Sequence, residues 1–167
     1  MRPSDLAAGL GPASRVLIDG RSGSGKTTLA AELVTIVPGA QLVRLDDIYP
    51  GWDGLQAASE HVFENVLSAS SPRWQRWDWI TDQPAEWTAL DPQRPIIVEG
   101  CGTLSRQNAA LADLRVWVEL DEPTRKARAL ARDGETYAPH WDRWARQEDA
   151  FIARENPREL ADVTLFG

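Results

Sequence analysis

Short apolar runs separated by longer stretches of mixed polarity recur along this chain. Val16-Leu17-Ile18, closed by Asp19-Gly20, is continuous rather than alternating and predicts a buried strand of a parallel sheet. A Gly/Ser-rich turn follows, and the stretch from about Lys26 to Val37 predicts a helix stopped by Pro38-Gly39. Gln41 to Leu45 predicts a second strand, Leu55 to about Ala69 a helix, Pro95 to Glu99 a third strand ended by Gly100, and Arg115 to Leu120 a fourth. Glu122-Pro123-Thr124 starts a helix with proline in its first turn, and Gly134 ends it. A further helix runs from about Trp141 to Arg154, and the helical spacing of Trp141, Trp144, Ala145, Glu148 and Phe151 reads as core packing. Asp162 to Phe166 makes a last strand. Strands alternating with helices predict βαβ units and an α/β fold around a parallel sheet. Residues 1–14, punctuated by Gly11-Pro12, are expected to form an N-terminal arm ahead of one domain over 15–167.

Composition narrows the class of protein. A hydrophobic fraction of 43% beside 26% charged residues is that of a globular chain. No apolar run approaches the roughly 18 residues of a membrane span, and the N-terminus leads into no signal-type segment, so a cytoplasmic protein without a membrane partner is expected. Cys101 is the only cysteine, which excludes an intrachain disulfide and any multi-cysteine metal site. A net charge of −7 argues against a nucleic-acid partner. Of the 18 basic residues only Lys26 and Lys126 are lysines, so the place of a lysine is informative.

Lys26 falls inside Gly20-Arg21-Ser22-Gly23-Ser24-Gly25-Lys26-Thr27, which meets every fixed position of G-x-x-x-x-G-K-[ST], the Walker A phosphate loop, between a predicted strand and a predicted helix. At this composition the match arises by chance in roughly one chain in a thousand. The glycines, Gly20, Gly23 and Gly25, let backbone N–H groups of residues such as Ser22 and Ser24 turn inward around an anion. The helix start at Thr27-Thr28 adds its partial positive charge, Lys26 reaches the β- and γ-phosphates, and the Thr27 hydroxyl ligates Mg²⁺. ATP and Mg²⁺ are the expected cofactors.

Acids flank the loop. Asp46-Asp47 follows the second strand at its carboxyl end, where ligands bind in open α/β sheets, and one of the pair is placed to take a proton from an acceptor hydroxyl. The other serves as a turn cap or lies behind the metal. Glu99 ends the third apolar strand, a place beside the Mg²⁺ of a phosphate loop. Arg125, Arg128 and Arg132 share one helix face, which either closes over a triphosphate or is a solvated surface. Trp52, Trp74, Trp77, Trp79 and Trp87 cluster in sequence and either wall an acceptor pocket or form the core of a small subdomain. In Trp77-Asp78-Trp79 the alternation turns Asp78 away from its neighbours, toward an acceptor hydroxyl.

Four features, Asp19-Gly20 to Thr28, Leu45-Asp46-Asp47-Ile48-Tyr49, Val98-Glu99-Gly100 and Arg125 to Asp133, resemble the P-loop kinases of the uridine kinase and nucleoside monophosphate kinase superfamily over about residues 15 to 166. The resemblance implies a three-layer α/β sandwich on a five-stranded parallel sheet in the order 2-3-1-4-5. It also implies a helical lid at about 125–141 and an acceptor region at about 46–90. It makes Asp46 the acceptor base beside Asp47 and Tyr49, Glu99 the magnesium-associated acid, and Arg125, Arg128 and Arg132 the lid arginines. The function expected is transfer of the γ-phosphoryl group of ATP to a hydroxyl of a small molecule, with a nucleoside leading and a monomer or homodimer as the working form. A kinase of a non-nucleoside such as a sugar acid, a cofactor precursor or an antibiotic stays open, as does a nucleotide-binding regulator without transfer activity.

Overall fold

The computed structural model describes residues 1–167. Its centre is a parallel sheet of β1 (Arg15–Asp19), β2 (Gln41–Arg44), β5 (Ile96–Glu99), β6 (Leu114–Glu119) and β7 (Val163–Phe166). The spatial order is β2-β5-β1-β6-β7. Counted within this sheet alone, that is the expected 2-3-1-4-5. Side chains alternate across the pleat, and here both faces are covered. Leu17, Ile96 and Val98 enter one core, while Val16, Ile18 and Ile97 enter the other.

The larger core lies under α3 (Leu55–His61), its π-helical continuation Val62–Val66 and α6 (Trp141–Glu155), the smaller under α2 (Lys26–Ile36). The segment before β1 also belongs to this packing: α1 (Pro3–Ala7) lies on α2 and buries Leu6 in the smaller core. Short α4 (Arg106–Ala109) and α7 (Pro157–Leu160) complete the surface beside β6. No helix is long and apolar enough to cross a membrane.

Two elements depart from the reading of the chain. Arg73–Asp78 and Gln83–Ala89 form β3 and β4, an antiparallel hairpin outside the main sheet with a register shift between Gln75 and Trp77. Pro84 and the exposed face of β4 hide the apolar alternation that announces a strand. Helix α5 (Glu122–Tyr137) starts under an Asp121 cap but runs one turn past Gly134, where a left-handed residue (φ 54°) breaks its course. That break turns the chain toward α6 and sets Tyr137 over the site.

Candidate active site

The loop between β1 and α2 is defined by its backbone. Gly25, at φ 105°, precedes Lys26 as a helix cap that offers no side-chain acceptor, so the first N–H groups of α2 stay open to an anion. Gly23, at φ 80°, is indispensable, because a Cβ there would lie 2.2 Å from the Arg125 carbonyl oxygen. The Ser24 hydroxyl is buried in this loop without a hydrogen-bond partner, a polar group available to a ligand.

Two buried ions hold the Ser22 peptide from opposite sides. Glu148 of α6 accepts its N–H at 2.8 Å, and Arg125 of α5 donates to its carbonyl at 3.2 Å. Asp19 fixes the start of the loop against the segment after β5. Its Oδ1 accepts Gly20 N–H at 2.7 Å and Gly102 N–H at 3.2 Å, and its Oδ2 accepts Leu104 N–H at 2.7 Å. Burial lifts the Asp19 carboxyl to about 6 against the lowering pull of these amides.

Lys26 is 7% exposed and donates to the Arg21 carbonyl at 3.0 Å. Burial acts against its charge, yet the carboxylates of Glu99, Asp19 and Glu148 hold its pKa above the ordinary value. The lysine is thus the cation of a buried acidic surround rather than a solvated side chain. Thr27 donates its hydroxyl to Glu99 Oε1 at 3.0 Å, with Arg44 at 3.6 Å from the same oxygen. Burial raises the Glu99 carboxyl, and Lys26 opposes it.

Two hard oxygen donors facing one cavity fit Mg²⁺, which keeps several waters and takes its remaining ligands from phosphates. The chain has no cluster of three or more acidic, histidine or cysteine side chains that could hold an ion unaided.

Two cavities meet at the loop. One, of about 1060 Å³, runs along Gly23 to Leu29 and the ends of β6 and β7, with Thr28 and Arg128 on its wall. The other, of about 550 Å³, lies on the far side under the end of α5. Gly23, Lys26, Thr27 and Arg132 belong to both.

The second cavity is walled by Tyr49, Trp52, Trp79, Tyr137 and Trp144. Trp52 is its hub, stacked on His140 at 4.3 Å and on Tyr137 at 5.4 Å, and meeting Trp79 edge-on at 5.3 Å. Helix α6 fastens this wall, since Gln147 donates to the Trp52 carbonyl at 2.6 Å and accepts Leu55 N–H at 3.3 Å. Asp46 opens into the same cavity. Trp79 holds its backbone by an indole N–H bond of 2.9 Å to the Asp46 carbonyl, and its carboxylate has no partner within the protein.

Several candidate residues stand elsewhere. Arg125 is buried and donates to Leu120 and Ser22 carbonyls, so it positions the loop and lines neither cavity. Arg132 reaches the site but is forked onto Asp133 at 2.7 and 2.9 Å. Asp47 is exposed and outside both cavities, its carboxyl raised by partial burial and by Asp46. Tyr49 contributes its ring, because its hydroxyl is committed to the Cys101 carbonyl at 2.8 Å.

Trp77 lies in the hairpin, away from the cavities, with its indole N–H buried and unpaired. Asp78 turns its carboxylate onto the N–H groups of Ile80 and Thr81, at 2.9 and 3.3 Å, and caps the hairpin turn. Asp19 escaped the sequence reading, as did Tyr137, and Trp144 and Glu148 read as core. A glutamate at a core position of a helix pattern was the available signal for Glu148.

Solved structures share this architecture. A candidate uridine kinase from Bacillus stearothermophilus is 21% identical, with 97% of this chain and 93% of that one covered and a TM-score of 0.63. A candidate fructose transport system kinase from Silicibacter sp. TM1040 is 20% identical, with 98% of both chains covered and a TM-score of 0.52. No protein-family model matches the chain, and no curated protein does. The chain has the P-loop kinase fold, as its motifs led us to expect.

Proposed function

We propose that this protein is an ATP- and Mg²⁺-dependent phosphotransferase that moves the γ-phosphoryl group to a hydroxyl of a small molecule. The observation that carries the reading is the junction of two cavities at one phosphate loop: a site that only holds a nucleotide needs no second, aromatic cavity on the far side of Lys26. The names of the two kinases that share the fold agree with it.

The triphosphate lies along the open N–H groups of the loop and α2, with Lys26 on the β- and γ-phosphates. Thr27 and Glu99 would hold Mg²⁺, which when bound would supply charge neutralisation at the phosphates. The acceptor hydroxyl enters from the aromatic side. Its oxygen forms the new bond to the γ-phosphorus as the bond to the β–γ bridging oxygen breaks, its proton passes to the Asp46 carboxylate, and ADP leaves. Arg132, at the boundary of the cavities, and Arg128, on the donor wall, are placed to take up charge on the transferred group once a triphosphate draws Arg132 from Asp133.

The test is a coupled assay of ADP release over nucleosides, sugars and amino alcohols, with Lys26→Ala as control. Acceptor-stimulated release that falls by about 10²-fold or more in the control is expected. Release that no acceptor raises above the control would turn the reading toward a nucleotide-binding regulator.

A further inference from the structure

With a donor in place, the groups left to meet the acceptor are anionic and aromatic. Lys26 and Arg132 are shared with the donor cavity, and Glu99 is engaged by Thr27. The remaining ionised groups on the acceptor side are Asp46, without a partner, and Asp133, whose Oδ1 is free of Arg132.

Two polar tips of this cavity are already committed, and its remaining side-chain hydroxyls are those of Ser22, Thr136 and Tyr137. The Tyr49 hydroxyl is on Cys101 and the Trp79 indole N–H on Asp46. No asparagine, glutamine or histidine side chain lines the cavity. A nucleobase presents donors and acceptors side by side, and a site selects it by matching both kinds with hydrogen-bonding groups. Carboxylates accept only, and ring faces attract positive charge. An anionic acceptor would meet two carboxylates of like sign.

We propose that the acceptor is a hydroxyl-bearing organic amine, bound as its ammonium form against the aromatic wall and Asp133, with its hydroxyl toward Asp46. This deepens the phosphotransferase reading and rests on it, and it takes the place of the nucleoside expected from the resemblance. The chemistry is unchanged: the hydroxyl oxygen gains the phosphoryl group, Asp46 gains the proton, and the ammonium stays protonated throughout.

Three alcohols of one shape separate charge from fit: 4-(hydroxymethyl)piperidine, its neutral N-acetyl derivative, and the matching hydroxymethyl-cyclohexanecarboxylate, with uridine as the nucleoside. Quenching of the intrinsic tryptophan fluorescence, with Mg²⁺ and a non-hydrolysable ATP analogue present, reads binding through Trp52, Trp79 and Trp144. Affinity should fall from amine to amide to carboxylate, with about tenfold or more between the first and last. Trp79→Leu, at a 41% exposed side chain, should weaken amine binding several-fold with nucleotide affinity unchanged.

An equal or reversed order, no binding of the amine, or uridine bound more tightly than the amine would overturn the inference. Lys26-dependent ADP release reports separately on the parent reading. Turnover of uridine but not of the amine sinks the amine and keeps the kinase. Amine binding in the expected order with no transfer to any acceptor keeps the amine site and sinks the kinase.

Discussion

The two sides of the Lys26 junction are built by different means. The donor side is backbone: an octapeptide loop, a helix start and three glycines with positive φ, held by Asp19, Arg125 and Glu148 through main-chain hydrogen bonds. The acceptor side is side chains from four separate stretches, with Trp52, Trp79, Tyr137 and Trp144 brought together by packing. A site whose frame is main chain admits little change, because its loop N–H groups cannot be exchanged by substitution. An aromatic wall can exchange rings and keep its frame, so on the proposed reading the donor half is held to one chemistry while the acceptor half is free to specialise.

The sharpest way to break this contrast is to change one side chain in each half. Gly23→Ala should abolish nucleotide binding, since the new Cβ would sit 2.2 Å from the Arg125 carbonyl at a φ of 80° that alanine resists. Calorimetric titration with Mg·ATP reads it, alongside circular dichroism to follow the fold. Near-normal affinity would show that the loop is less rigid than its contacts imply. A larger change on the acceptor wall, Trp79→Phe, should leave ATP affinity in place.

Next in size is the effect expected at the proposed acceptor base. Asp46→Asn should lower kcat by about 10²-fold or more with little change in ATP affinity, because a positioned base contributes about 10²- to 10⁴-fold. Asp47→Asn, outside both cavities, should change it by far less. Single-turnover transfer decides between them, and a larger defect at Asp47 would move the base by one position.

The contrast also explains what could be read from the chain. The strands of the sheet, the phosphate loop and the places of Asp46 and Glu99 at strand ends follow from local pattern, since an apolar run, a glycine spacing and an acid at a strand end are each contiguous, whereas the order of the strands came only with the resemblance to the P-loop kinases. The hairpin β3–β4 was illegible because it faces solvent on β4 and carries Pro84, so no buried face imposes an alternation. Arg125 read as a lid residue because its spacing with Arg128 and Arg132 is real. Only the tertiary structure shows that the first of the three turns inward to Ser22 while the others reach the cavities. Asp19 looked like a strand end, and its three amide partners come from its own turn and from residues more than 80 positions away.

Asp19 offers a measurement of how tightly the donor frame is held. Its carboxyl lies at about 6 in the folded chain against an ordinary 3.8. The folded state therefore binds more protons than the unfolded state between about pH 4 and 6, and stability falls as pH rises through that window. This contribution is complete below about 4 and lost above 6. Urea midpoints taken across the window should show the decline, and Asp19→Asn should flatten it. A midpoint that rises from this group with pH would mean that the amide donors outweigh burial.

The smallest effect is expected where the sequence suggested a substrate contact. Asp78 has the spacing of an acceptor-binding carboxylate, yet it accepts the N–H groups of Ile80 and Thr81 and closes the turn between β3 and β4. Those bonds favour its ionised form and hold its pKa below the ordinary value. The turn is far from Lys26 in function but not in consequence, because Trp79 next to it carries the indole N–H that supports Asp46. Loss of the cap should therefore loosen the hairpin before it touches the chemistry. Asp78→Ala is expected to lower stability slightly, through the loss of a side-chain cap on two backbone donors. Transfer should stay within a small factor, with any loss appearing in the acceptor KM rather than in kcat. Hydrogen exchange at Ile80 and Thr81 should quicken while the amides of β1 and β5 keep their protection. A kcat defect as large as that of Asp46→Asn would return Asp78 to the site and erase the distinction between the wall that shapes the cavity and the acid that acts in it.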